Sequence, residues 1–275
     1  MATQTPLVNR DRLDRHRRRA ERIGGDFFLH EEARLDIQDR LSMVNKSFAD
    51  VAIVTGFPTL WKTWFPDATI ISDTDTLGLA EQSYDLVIHA MSLHWANDPV
   101  GQLIQCNRAL RPDGLMLAIF LGDETLKELR ISLAEAEIAI SGGLSSRVLP
   151  MGEIRDLGGL LQRASFALPV ADKMVRKASY KTLNRLIYDL RSMGETAALS
   201  QSSRRFTPKS IFNLAETIYS EHYSQDGLLI ATFDIVCLTG WAPDDSQPKP
   251  LLRGSAKARL ADALGTNELK LRSGC

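Results

Sequence analysis

The sequence has few cysteines and no apolar run long enough to cross a bilayer. Its three cysteines, Cys106, Cys237 and Cys275, lie far apart, without a CxxC pair or a histidine at metal-ligand spacing. We therefore expect neither a disulfide framework nor a zinc site, and reduced thiols are typical of such a pattern. No apolar stretch reaches the roughly 18 residues of a membrane span. These absences predict a cytoplasmic protein without a metal site.

A surplus of charge of one sign is also missing. The 33 Lys and Arg residues nearly balance the 34 Asp and Glu residues, and the formal net charge is -1. No global field therefore draws the chain to nucleic acid. A basic cluster runs from Arg10 to Arg22, but it contains Asp11, Asp14 and Glu21 and no apolar segment, unlike a targeting presequence. We interpret it as the solvated start of a helix.

Helix and strand patterns alternate over the first half of the chain. Apolar runs predict strands at residues 51–55, 68–72 and 84–89, and LMLAIFLG predicts a fourth. The run at 84–89 is apolar enough to be buried on both faces. Helical patterns lie between them, and this alternation is typical of a parallel α/β sheet.

The composition divides the chain into three parts. Residues 1–48 are predicted to form an N-terminal helical segment, and residues 49–243 the α/β domain, with a helical insertion at about 123–225. Residues 244–275 are rich in Pro, Ser and charge, which predicts a mobile tail.

Several stretches carry a family resemblance. YDLVIHAMSLHWAND and LRPDG resemble the second half of class I S-adenosylmethionine-dependent methyltransferases. GDETLKELRISLAEAE, DLGGLLQRASF, DLRSMGET and LLRGSA are similar to the methyltransferase-like assembly factors of respiratory complex I and their bacterial relatives. The malonyl-carrier-protein methyltransferases are more distant. The resemblance implies a Rossmann-like methyltransferase sheet, S-adenosylmethionine as cofactor, and a protein partner or protein substrate.

The cofactor loop that this resemblance implies is incomplete. Family members have a D-x-G-x-G-x-G loop after the first strand, where glycines let the backbone approach the cofactor. Here Thr55 and Gly56 are followed by Phe57 and Pro58, which add bulk and remove one N–H donor. We therefore predict that S-adenosylmethionine binds weakly or not at all.

The chain is also too short before the third predicted strand. In one alignment, ISDTDTLGLAEQSYDLV matches the family's adenine-side stretch, and the second strand with its helix is missing or much reduced. In the other, Asp73 or Asp75 is the acid that holds the ribose hydroxyls, and the adenine-side stretch is lost. Both alignments predict a sheet in which one strand–helix unit is missing or shortened.

The resemblance places candidate site residues at the ends of the strands. The residues assigned to cofactor binding are Thr55, Gly56, Asp73, Asp75, Ser92, Leu93 and Trp95. The residues assigned to catalysis are His94, Asp123, Glu124 and Arg130. Each catalytic residue has a structural alternative: His94 can cap a turn, the two acids can interact with a helix dipole, and Arg130 can form an ion pair.

Two functions from different classes follow. The first is a methyltransferase-family enzyme of the complex I assembly type, which transfers a methyl group or supports hydroxylation of a protein arginine. The second is an inactive methyltransferase-like protein that binds a protein partner through the inherited cleft. The degenerate glycine loop favours the second, and the retained LHWAND and GDETLKELR favour the first.

Overall fold

The computed structural model describes residues 6–201, 206–248, 255 and 258–266. The chain begins with two helices, α1 (Arg10–Ile23) and α2 (Phe28–Met43). Asn9 caps α1 by accepting a hydrogen bond from the N–H of Arg12 at 2.9 Å. Gly24 ends the helix in the left-handed conformation, which costs a glycine little.

A seven-stranded sheet forms the centre of the domain. Its strands are β1 (Val51–Thr55), β2 (Thr69–Ser72), β3 (Tyr84–Ala90), β4 (Leu110–Leu121), β5 (Ala167–Tyr180), β6 (Ser224–Gln225) and β7 (Leu228–Trp241). The order is β2-β1-β3-β4-β7-β5, and β6 pairs with β7. Strands β1 to β4 are parallel, whereas β7 is antiparallel to β4 and β5. The predicted α/β sheet is confirmed.

Helices cover both faces of the sheet. They are α3 (Pro58–Trp64), α4 (Pro99–Ala109), α5 (Lys127–Ser141), α6 (Ile154–Arg163), α7 (Leu183–Ser192) and α8 (Lys209–Tyr223). Side chains alternate between the two faces of a strand, so each strand contributes to two cores. Ile53 and Ile88 join the core beneath α2, α5 and α8, while Val54 and Val87 join the core beneath α4 and α6.

The second strand, β2, bears on the two alignments. It pairs directly with β1, with Ile53 opposite Ile70, and Asp73 follows its last residue. Asp73 therefore follows a second strand, at the position that the resemblance gives to the ribose acid. The strand and its helix are present but short, with four and seven residues. The segment between β1 and β2 has room only for the short helix α3. Among the described residues, none between Asp73 and Tyr84 is in a strand. The prediction of a missing or shortened strand–helix unit is therefore consistent with this segment.

The tail is separate from this domain. The chain divides into two compact units, Met1–Asp244 and Asp245–Cys275. Within the second unit, Leu260–Leu264 form the short helix α9. The predicted mobility of residues 244–275 falls largely on residues outside those the structure describes.

Two further features are absent from the described part of the chain. No helix there has the length and apolarity needed to cross a membrane. No group of three or more His, Cys, Asp or Glu side chains there could hold a metal ion.

Candidate functional site

The candidate site lies where parallel strands end together. β1 ends at Thr55, β2 is followed by Asp73, and β4 ends at Leu121. A one-turn 3-10 helix, Leu93–Trp95, follows β3. The carboxyl edge of such a sheet is where α/β proteins bind ligands. Two separate spaces open there, one beside α1 and one beneath α5 and α7.

The space beside α1 is called here the nucleoside-side cleft, because it contains the ribose-acid position. It has a volume of about 560 Å³. Its lining residues are Arg10, Asp14, Arg17, Arg18, Glu21, Thr55, Gly56, Pro58, Ser72, Asp73, Thr74 and Asp75. Four of the seven residues assigned to cofactor binding are therefore together. Ser92 and Leu93 are buried away from this cleft, with the Ser92 hydroxyl 3.3 Å from Nδ1 of His89.

Both carboxylate oxygens of Asp73 already have donors. Nη1 of Arg17 donates to Oδ1 and Nη2 donates to Oδ2, each at 2.8 Å. Nη2 of Arg10 adds a bond to Oδ1 at 3.0 Å. Burial alone would raise the pKa of the Asp73 carboxyl, but the charges and hydrogen bonds of Arg17 and Arg10 hold it below its ordinary value. Asp73 is therefore a buried, ionised acid that the chain neutralises itself.

The guanidinium of Arg17 lies directly against Gly56. A Cβ atom added to Gly56 would be only 2.1 Å from Cζ of Arg17. The basic cluster of α1 is thus not wholly solvated, since the Arg17 side chain is 7% exposed. Sequence reasoning missed this residue because a run of arginines does not show which of them faces inwards.

The loop after β1 offers fewer free donors than a glycine-rich loop would. The N–H of Phe57 donates to Oγ1 of Thr55 at 3.2 Å, and Pro58, which has no N–H, begins α3. The Phe57 ring is buried, 4.9 Å from the ring of His30 between centres. S-adenosylmethionine needs close approach to this loop and a free carboxylate at Asp73. In this structure the Arg17 guanidinium lies at both places.

His94 and Trp95 meet at a buried acid that sequence reasoning did not assign to the site. Nε2 of His94 and Nε1 of Trp95 both donate to Oε2 of Glu195, each at 3.1 Å. No donor among the described residues reaches the other oxygen, Oε1. Glu195 lies in DLRSMGET, a stretch that carried the family resemblance, but it was not among the candidate site residues. Its only sequence signal was that resemblance.

Glu195 is held ionised in spite of its burial. Burial alone would raise the pKa of its carboxyl, but the charge and hydrogen bond of His94, with the charges of His30 and Arg17, lower it. A carboxylate whose pKa is shifted by burial and by a specific partner, beside a cavity, is a candidate functional group.

Glu195 and Trp95 line an apolar cavity of about 490 Å³. The other lining residues are Leu121, Thr125, Leu126, Leu129, Leu133, Arg147, Val148, Leu149, Met151, Asn184, Ile187, Tyr188, Leu190, Arg191, Thr196, Ala197 and Phe212. Apolar cavities with a few polar groups are the usual form of a small-ligand or side-chain site. We call this space the apolar cavity.

None of the four catalytic candidates lines the apolar cavity; His94 contacts it only through Glu195. Oδ1 of Asp123 is 3.9 Å from Nη1 of Arg130, and Glu124 forms an ion pair with Lys127. These side chains are partly exposed at the start of α5, which presents leucines to the cavity instead. Their assignment to catalysis stays a prediction.

His30 beneath the cleft should make stability depend on pH. Nδ1 of His30 accepts from Nε1 of Trp61 at 3.1 Å, and Nε2 is buried without a partner among the described residues. Burial lowers the pKa of His30 from 6.5 to about 4. The unfolded chain therefore takes the proton first. The contribution of His30 to the free energy of unfolding should be full above pH 6.5 and fall by up to about 3 kcal/mol as the pH drops to 4. Buried His89, whose pKa is also lowered to about 4, adds a contribution of the same sign.

Denaturant unfolding across this pH range checks that expectation. His30→Gln keeps an acceptor for Trp61 but cannot titrate, so its slope against pH should be shallower by up to one proton. Equal slopes for the two proteins would contradict the role of His30.

A family model described as a methyltransferase domain matches residues 42–118, which run from the end of α2 into β4. The chain is a methyltransferase-family protein. Its relatives differ in the chemistry that their names describe. The mitochondrial arginine-hydroxylase NDUFAF5 of Dictyostelium discoideum is 41% identical over 69% of this chain and 44% of its own length.

A second kind of relative is a methyltransferase by name. The malonyl-acyl-carrier-protein O-methyltransferase of Laribacter hongkongensis (strain HLHK9) is 33% identical over 64% of this methyltransferase-family chain and 57% of its own length. The chain thus spans less than two thirds of both relatives. Among solved structures, the YcgJ protein of Bacillus subtilis has a TM-score of 0.49 at 9% identity, over 77% of this chain and 98% of that one.

Proposed function

We propose that this methyltransferase-family protein is of the complex I assembly-factor type and binds a basic side chain of a protein partner in the apolar cavity. On this proposal it does not transfer methyl groups from S-adenosylmethionine. The observation that carries the proposal is the ionised carboxylate of Glu195 at the wall of an otherwise apolar space. The curated relatives named arginine-hydroxylases make arginine the side chain to test first.

A buried carboxylate favours a cationic guest. Removing a charge from water costs free energy unless a counter-ion or several hydrogen bonds compensate it. Glu195 receives two hydrogen bonds on Oε2, which leaves Oε1 for a further donor. A guanidinium can supply a charge-assisted bond there. The apolar walls suit the methylene stem that carries it.

The two arginines at this cavity leave room for that guest. Arg147 is neutralised by Glu137, with Nη2 to Oε1 at 2.6 Å and Nε to Oε2 at 3.0 Å. Arg191 is exposed at the end of α7, so solvent screens its charge. Glu195, by contrast, has 6% of its side chain exposed and interacts with less screening.

A pair of matched peptides tests the proposal. We expect a short peptide with one central arginine to bind at least about tenfold more tightly than the same peptide with citrulline. Citrulline keeps the shape but lacks the charge, and tenfold corresponds to about 1.4 kcal/mol. Isothermal titration measures both, and equal affinities would contradict the proposal.

The alternative is a methyltransferase that uses S-adenosylmethionine. Membership of the family and the retained acid after β2 favour it. Titration with S-adenosylmethionine separates the two: a dissociation constant in the low micromolar range, about 8 kcal/mol of binding, would establish cofactor use. We expect no saturation below about 1 mM, a binding free energy of about 4 kcal/mol.

The class of partner and the cellular location are also part of the proposal. The sequence predicts a cytoplasmic protein whose partner is another protein and not a nucleic acid. The curated arginine-hydroxylases carry the word mitochondrial in their names, so localisation of the tagged chain in its own cell decides this point.

A further inference from the structure

We infer that α1 supplies a built-in occupant for the nucleoside-side cleft. Arg17 fills the space over Gly56 and takes the carboxylate of Asp73. The chain thereby replaces a nucleoside with one of its own side chains. This inference concerns the cleft beside α1 and is independent of any ligand in the apolar cavity.

The hydrogen bonds of Arg17 imitate those of a vicinal diol. A ribose places two O–H donors side by side, and a carboxylate can accept one on each oxygen. Arg17 places two N–H donors on the two oxygens of Asp73 in the same paired manner, at 2.8 Å each. Charge-assisted bonds of this kind are stronger than neutral ones, so a diol competes poorly for this acid.

The helix places Arg17 on its buried side. Leu13 and Ala20 are fully buried, and the spacings of four and three residues put Arg17 on the same face of α1. An arginine on such a face is costly unless an acid pairs with it. Asp73 is that acid, which makes the pair part of how α1 docks on the domain.

Hydrogen bonds of the residues before α1 hold the start of this helix on the domain. The N–H of Val8 donates to Oδ1 of Asn97 at 2.8 Å, and Nδ2 of Asn97 donates to the carbonyl of Val8 at 3.1 Å. The N–H of Asn9 donates to the carbonyl of Ala198 at 2.7 Å. The Arg17 guanidinium therefore has a high effective concentration at the carboxylate of Asp73. A free nucleoside has to compete with it for that carboxylate.

A methyl group added at Gly56 tests the occupancy without any ligand. Its Cβ would be 2.1 Å from the Arg17 guanidinium carbon, so the guanidinium has to move off Asp73, and we expect Gly56→Ala to lower the Tm by about 3 °C or more. Gly78→Ala is the matched control, because nothing lies within 4 Å of a Cβ there, and its Tm should stay within about 2 °C. Equal Tm values for the two variants would overturn the inference.

Removal of the side chain tests the competition. We expect no adenosine binding below about 1 mM for the natural chain. We expect at least a tenfold gain for Arg17→Ala, in which Arg10 still pairs with Asp73. Arg15→Ala, on the exposed side of α1 and outside the lining of this cleft, should show no gain. A folded Arg17→Ala protein without the gain would overturn the inference, as would tight adenosine binding by the natural chain. If Arg17→Ala does not fold, the Gly56→Ala comparison decides.

Discussion

Asp73→Ala should lower the free energy of unfolding by about 3–5 kcal/mol, because it leaves two arginines without their acid. Arg17 is 7% exposed and Arg10 is 22% exposed at the side chain, so water cannot fully take the place of the carboxylate. Urea unfolding at pH 7 measures the change. Asp75→Ala, two residues away and exposed, should stay within about 0.5 kcal/mol.

This outcome separates two roles for the same acid. If Asp73 were kept as a ligand for ribose, its removal would weaken binding and leave the stability of the free protein nearly unchanged. A loss below about 1 kcal/mol would therefore contradict the internal pairing. Asp73→Asn keeps the shape of the side chain and one acceptor oxygen. Its loss of unfolding free energy should therefore lie between those of Asp73→Ala and Asp75→Ala.

The sequence predicted the half of the sheet that carries strong local patterns. The runs at residues 84–89 and LMLAIFLG are apolar on both faces, lie between turn signals and alternate with helical patterns, which favours buried strands. The segment before Asp73 was ambiguous for a physical reason. A four-residue strand has too little periodicity to identify its neighbour, and pairing with β1 is a tertiary fact.

The two central contacts of the candidate site were beyond such reasoning. Arg17 and Asp73 are 56 residues apart, and His94 and Glu195 are 101 residues apart. The local sequence pattern shows that Arg17 is on a helix, but not that this helix packs against the acid Asp73. For the same reason, Asp123 and Glu124 were obvious candidates at a strand end, while Glu195 at the end of a helix was not.

Glu195→Gln should abolish the preference of the apolar cavity for arginine over citrulline. The amide oxygen of glutamine can still accept from His94 and Trp95, so the fold should be retained, but the negative charge is gone. Loss of one partner of a buried charge pair costs about 2 kcal/mol or more, so the arginine peptide should bind about 30-fold more weakly. The citrulline peptide should bind as before, since its contacts carry no charge.

Glu124→Gln and Arg130→Ala are the matched controls for this prediction, and they also test the sequence-based assignment. Glu124 pairs with Lys127 at the partly exposed start of α5, away from the cavity wall. If Glu195 is the recognition group, both controls keep the arginine preference and only Glu195→Gln loses it. If instead the region from Asp123 to Arg130 carries the function, the controls lose peptide capture with stability changed by less than about 1 kcal/mol. An arginine preference that survives in Glu195→Gln would show that the buried carboxylate serves only to hold His94 and Trp95 in place.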